Sequence, residues 1–212
     1  MIHIKSFVFN AFQENTYILY DETKEAIIID PGCQMHAERG ILDNFIEKEQ
    51  LNLVHLLNTH CHLDHVFGNL YFQKNYNLKL AIHQADVPVL AACTMVAKMY
   101  NLSPYDESLA DIFLEEGQQI KFGNTILDIL HLPGHAPGHL GFVNHTEKFI
   151  ISGDVIFKGS IGRTDFPLCN HDHLMDSIKN KLFLLPDDYI IHTGHGQSTT
   201  IGDEKKNNPF FN

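Results

Sequence analysis

Short stretches of alternating or continuous apolar residues predict strands at Ile2 to Phe9, Thr16 to Tyr20, Ala26 to Ile29, Leu53 to Leu57, Lys79 to His83 and Thr125 to Leu130. Two further β-like stretches, Lys148 to Ile151 and Tyr189 to His192, run into Gly-framed loops. Helical periodicity lies between some of these. Ala37, Ile41, Leu42, Phe45 and Ile46 recur at spacings of four and one, with Glu38, Asp43, Glu47 and Lys48 outside the stripe, so this segment has one buried face. Helices are also predicted over Phe67 to Tyr76, Gln84 to Tyr100 and His171 to Leu182, with Pro88 kinking the second of these or marking its first turn. Strands pair first as a meander and later alternate with helices, which predicts an α/β (α+β layered) fold with helices outside the sheets.

Composition narrows the class. A chain of 212 residues with 44% apolar content can bury one substantial core, and no low-complexity run or Pro/Gly/Ser-rich linker divides it, so a single domain over residues 1–212 is expected. A formal charge of −11 with 15 Lys plus Arg argues against a nucleic-acid partner, because such affinity rests on neutralising phosphates. No apolar run approaches the ~18 to 20 residues that span a bilayer. The N-terminal stretch Met1 to Asn10 alternates like a strand rather than resembling a signal peptide. No membrane partner and a cytoplasmic location are therefore expected. Cys33, Cys61, Cys93 and Cys169 lack paired spacing and are read as free thiols. The acidic-basic run Asp203 to Lys206 is read as a solvated tail.

The chemistry lies in Thr59-His60-Cys61-His62-Leu63-Asp64-His65, where three imidazoles and a carboxylate crowd together after an apolar run. That ligand set suits zinc, iron or manganese. Cys61 is a poor ligand candidate, since adjacent residues on an extended segment point opposite ways. Other potential ligands stand in Gly-framed loops: Pro133-Gly134-His135 with Pro137-Gly138-His139, then Gly153-Asp154, then Gly194-His195-Gly196. His139 follows His135 by four residues, but the Pro137-Gly138 turn breaks any shared helical face, and it is read as strand-side structure. Asp30-Pro31-Gly32 reads first as a turn. There is no Gly-x-Ser-x-Gly elbow, which leaves a serine hydrolase mechanism unsupported.

This ordered set of motifs resembles the metallo-β-lactamase superfamily over nearly the whole chain. Within it, Phe157 to Pro167 and the ending Asn207-Asn208-Pro209-Phe210 look like the short, single-domain glyoxalase II group, the hydroxyacylglutathione hydrolases. The resemblance implies a four-layer αβ/βα sandwich with metals at one edge. It implies two divalent metal ions per chain, zinc first and iron or manganese as alternatives. One would be held by His60, His62 and His135, the other by Asp64, His65 and His195, with Asp154 bridging. It also implies a metal-bridging hydroxide as nucleophile, held by Asp154 and oriented by Asp64, attacking a small-molecule acyl thioester such as S-lactoylglutathione. The Asp30 turn has a counterpart near the metals in the superfamily.

Substrate contacts are expected from Arg163, one of two arginines in the chain, with Lys158 in the same loop and Tyr17, beside Asn15 and Thr16, at the mouth. A forked guanidinium suits a carboxylate, although pairing of Arg163 with Asp165 is an equal expectation. Longer glyoxalase II enzymes contact glutathione through a C-terminal helical region, and this chain ends soon after His195, so the thiol carrier is poorly fixed. The competing reading is a persulfide dioxygenase of the same fold, with one iron on His60, His135 and Asp154. A secreted β-lactamase is disfavoured by the missing export signal. Oligomeric state is not legible.

Overall fold

Alternation along β-strands decides the layering. The computed structural model describes residues 1–102 and 105–212. In chain order the elements are β1 (His3–Phe9), β2 (Glu14–Tyr20), β3 (Glu25–Ile29), α1 (His36–Glu49), β4 (Asn52–Leu57), α2 (Leu63–Val66), α3 (Asn69–Asn75), β5 (Leu80–Ile82), α4 (Val87–Met99), β6 (Ile112–Phe113), β7 (Gln119–Phe122), β8 (Thr125–His131), β9 (Leu140–Asn144), β10 (Phe149–Gly153), β11 (Ile156–Phe157), β12 (Ser160–Ile161), α5 (His171–Asn180), β13 (Ile190–Thr193), β14 (Thr199–Thr200) and α6 (Ile201–Asn207). One sheet has the order β1-β2-β3-β4-β5-β6 and the other β14-β13-β10-β9-β8-β7.

Tyr17, Leu19, Ile27, Ile29 and Leu57 point between the sheets and pack with Ile120, Phe122, Leu127, Ile129, Phe142 and Ile151 of the second sheet. Their neighbours Ile18, Ile28 and Leu56 point the other way, onto Leu42 and Ile46 of α1 and Phe72 of α3. Val143, Ile150 and Ile191 face outward from the second sheet onto Leu174 and Ile178 of α5 and Ile201 of α6. The result is the expected helix–sheet–sheet–helix sandwich. Ala26 to Ile29 is apolar at every position because both faces of β3 are covered.

Three expectations shift in detail. The Gln84 to Tyr100 helix is a 3-10 turn followed by α4, and Pro88 sits in the first turn of α4, where its missing N–H costs no hydrogen bond. The helix expected from Phe67 begins only at Asn69, preceded by the separate short α2. The expected solvated tail is wrong: Asp203 to Lys206 lies in α6, capped by the Thr200 hydroxyl, which accepts from Asp203 N. Glu204 there is 1% exposed and accepts from the Thr199 hydroxyl, Asn208 Nδ2 and Gly159 N. A charge run does not reveal which carboxylate turns inward. Among the described residues, no helix is long and apolar enough to cross a membrane.

Candidate metal centre

All seven expected ligand residues converge beyond strand ends. His60 and His62 leave the loop after β4, Asp64 and His65 begin α2, His135 stands in the loop after β8, Asp154 follows β10 and His195 follows β13. His60, His62 and His135 each present a ring nitrogen within 4.8 Å of the others, and Asp64, His65 and His195 present ligand atoms in the same range. Asp154 lies between the two sets: Oδ2 is 3.5 Å from His135 Nε2 and 3.4 Å from His195 Nε2, and Oδ1 is 3.5 Å from His65 Nε2. Asp64 Oδ2 is 3.2 Å from His195 Nε2 and 3.6 Å from His65 Nε2.

The outward nitrogens of four imidazoles are already used. Nδ1 of His135 meets Arg163 O at 2.8 Å, Nδ1 of His195 meets Phe12 O at 3.0 Å, Nδ1 of His65 meets Asp30 Oδ2 at 3.2 Å and Nδ1 of His60 meets Thr59 Oγ1 at 3.1 Å. Each such contact leaves Nε2 as the atom turned inward. Nε2 of His60 and His65 and Oδ1 of Asp154 are buried with no hydrogen-bond partner among the described residues, an arrangement that protein interiors avoid unless another group satisfies it. Divalent cations at this convergence would satisfy all three, and the imidazole-carboxylate donor set suits zinc, iron or manganese. The residues fit the metals that the motif implies.

The two sets differ electrostatically. Burial, and then the neighbouring imidazoles, push His60 far below the usual histidine range, and burial with His135 brings His62 down to about 3. Burial would also lower His195, but hydrogen bonds to Asp154 and Asp64 outweigh it and raise this imidazole to about 10. His65 is raised in the same sense, burial being overcome by Asp64 and Asp154. The first set is a neutral lone-pair set; in the second, a cation competes with protons.

Several supporting residues are ones whose part the sequence did not disclose. Asp30 forms the expected turn, in a left-handed conformation with φ 50°, and its carboxylate accepts from Thr59 N (2.6 Å), the Thr59 hydroxyl, Asn58 Nδ2 and His65 Nδ1. It also lies within ligand reach of His60 and His65, but its oxygens are committed to those four donors. Asp86 accepts from Cys61 N at 2.8 Å and Gly138 N at 2.6 Å, joining the His60–His62 loop to the His135 loop. His139 is fully buried, stacks on His60 with centroids 4.7 Å apart, and accepts from Asp154 N at 3.1 Å. Spacing and composition carry no mark of such contacts, because each joins segments far apart in the chain.

The expected substrate contacts fare differently. Tyr17 is 3% exposed and its hydroxyl donates to Thr193 O, so it supports the His195 loop from within instead of lining a mouth. Asn15 does the same through Thr193 O and Gly196 O, and the Thr16 hydroxyl accepts from Gly32 N. The Arg163 guanidinium is exposed and makes two 2.7 Å bonds to Asp165, over the Phe166 ring. Lys158 is exposed at the tip between β11 and β12, with no ion pair among the described residues. Cys61 is buried in the apolar core beneath the site.

Comparison with known proteins agrees with this geometry. The family model of the metallo-beta-lactamase superfamily matches residues 9–195. Hydroxyacylglutathione hydrolase GloC of Haemophilus influenzae is 44% identical over 204 residues, covering 95% of this chain and 94% of that protein. Two solved structures are similar throughout. The BLEG-1 B3 metallo-beta-lactamase superposes with a TM-score of 0.90 at 32% identity over 99% of each chain. TTHA1623 in a di-iron-bound form superposes at 0.86 and 32%, covering 97% of this chain and 99% of that one. The match reaches from the end of β1 to His195 and so includes every loop that supplies the convergent histidines and aspartates; this chain belongs to the metallo-β-lactamase superfamily.

Proposed function

We propose that the chain is a two-metal thioester hydrolase that cleaves a hydroxyacyl thioester such as S-lactoylglutathione to a 2-hydroxy acid and a free thiol, acting as a single domain in the cytoplasm. His60, His62 and His135 would hold one divalent ion and Asp64, His65 and His195 the other, with Asp154 placed between the two sets. Zinc is the first choice, with iron or manganese as alternatives. Bound divalent ions would supply a water of lowered pKa and polarise the thioester carbonyl. The chain's own part is to fix the donor atoms: Asp30, Phe12 and Arg163 orient the imidazoles through their outward nitrogens, and His139 steadies Asp154 by its backbone.

The observation that carries this reading is the place of Asp154, with one carboxylate oxygen toward His65 and the other toward His135 and His195, as a group shared by two sets requires. A one-iron persulfide dioxygenase would need only His60, His135 and Asp154. The approach of His65 and His195 to both Asp64 and Asp154 favours the two-metal reading. The GloC relative supports the thioester class, whereas the BLEG-1 likeness makes a β-lactam a necessary comparison substrate.

The test is turnover by protein of measured metal content against S-lactoylglutathione, other acyl thioesters, a β-lactam and glutathione persulfide with oxygen uptake recorded. Two metals per chain with thioester cleavage, lost in His62→Ala that still folds, is the expected result. One iron with oxygen uptake, β-lactam cleavage without thioester cleavage, or undiminished hydrolysis by His62→Ala would overturn it.

A further inference from the structure

Glu14 is a fully buried acid for which the hydrolytic reading has no use. Its backbone pairs in an isolated β-bridge with His195, and the next residue, Asn15, donates its N–H to Gly194 O at 2.7 Å. The side chain reaches the other way. Oε2 accepts from the Thr16 hydroxyl at 2.9 Å, which in turn accepts from Gly32 N at 2.9 Å. Oε1 is buried without a hydrogen-bond partner among the described residues and lies 3.9 Å from His65 Nδ1, beside the 3.2 Å contact that Asp30 makes to the same nitrogen.

The space around this carboxylate is built for it. A Cβ on Gly32 would fall 2.0 Å from Glu14 Oε2 and 2.6 Å from Asp64 O, so only glycine lets the carboxylate lie against the backbone of the Asp64 turn. Asn10 Nδ2 closes the same corner by donating to Gly32 O and Asp64 O, each at 3.0 Å. Through one residue, then, the α2 segment that carries Asp64 and His65 and the loop that carries His195 are brought together. Among the described residues, nothing comparable links Glu14 to His60, His62 or His135.

We propose that Glu14 is a positioning residue for the Asp64–His65–His195 set alone. Its backbone sets the His195 loop, and its buried carboxyl group, anchored on the Thr16 hydroxyl, packs 3.9 Å behind Nδ1 of His65 beside the Asp30 bond, so that the ring cannot back away and Nε2 of His65 stays aimed at Asp154. An outer-shell group that holds a ligating imidazole in place is usually worth ~10–100-fold in metal affinity when removed. That effect should fall on one ion and spare the other. This inference rests on the ligand assignment proposed above.

The test is stepwise chelator competition on Zn²⁺- and Co²⁺-loaded protein, with the Co²⁺ absorption spectrum recorded and thermal midpoints measured in parallel. In Glu14→Ala, which keeps the backbone bridge and removes the group packed behind His65, one of two metal equivalents should leave at ~10–100-fold lower chelator, with the other unchanged and the Co²⁺ spectrum altered. Thr16→Val, which frees the carboxylate from its hydroxyl anchor, should weaken the same equivalent less and serves if the first variant does not fold. Two equivalents released as in the parent protein, or both weakened together, overturns the proposal. A parent protein that binds fewer than two equivalents, or a His65→Ala variant that retains both tightly, defeats the ligand assignment instead.

Discussion

The carbonyl oxygen of Arg163 lies 2.8 Å from Nδ1 of His135, and this contact turns Nε2 of that imidazole toward Asp154. The residue thus serves the site through its backbone, while its guanidinium is engaged by Asp165 in solvent.

Arg163→Ala keeps that carbonyl and removes an exposed ion pair worth ~0–1 kcal/mol. Metal content should be unchanged, and kcat/KM for a glutathione thioester should fall less than about tenfold. Steady-state kinetics decide the matter: a loss of about a hundredfold with intact metals would show that the guanidinium leaves Asp165 to hold substrate.

Gly194 stands at a sterically exacting point of the site. A Cβ there would lie 2.0 Å from Asp154 Oδ1 and 2.9 Å from His65 Cε1. Gly194→Ala should displace the shared carboxylate and cost ~100-fold or more in kcat, since misplacements of about 1 Å carry penalties of that size. Kinetics together with metal analysis would reveal this, and near-normal turnover would mean that the carboxylate has freedom the packing denies it.

Asp86 supplies a pH signature. Burial outweighs the hydrogen bonds from Gly138 N and Cys61 N and raises its carboxyl to about 6. The folded chain therefore holds this proton more tightly than the unfolded chain, whose aspartates titrate near ~3.9. The resulting stabilisation is fully present below about pH 4 and is lost as pH rises to about 6, on the order of 3 kcal/mol in all. Denaturant midpoints of the parent and Asp86→Asn proteins across this window should show the parent's advantage shrinking with rising pH; a constant difference contradicts the assignment.

Glu204 makes a stability prediction away from the metals. Glu204→Ala strips the acceptor from the Thr199 hydroxyl, Asn208 Nδ2 and Gly159 N, at a cost of about 2–4 kcal/mol. Its exposed neighbour Lys206→Ala should stay within about 0.5 kcal/mol. Scanning calorimetry separates the two, and equal thermal midpoints would place Glu204 in solvent.

The chain by itself disclosed its strand pattern, the run from His60 to His65 and the Gly-framed loops bearing His135, Asp154 and His195, because strand periodicity and ligand clustering are local properties that survive without coordinates. The short strands β7, β9, β11, β12 and β14 and helices α2 and α6 were not legible. Pairing partners and a buried face define them more than their own residues do.

What only the tertiary structure decided is which polar groups stand behind the ligands and which stand in water. Asp86 and Glu14 look like ordinary surface acids in a chain of net charge −11, and Asp30 reads first as a turn residue, yet each is buried within reach of a partner dozens of positions away. Tyr17 and Arg163, expected to contact substrate, are engaged by Thr193 and Asp165. Whether a polar side chain is buried, and what it meets there, depends on how distant segments pack, and no local pattern encodes that.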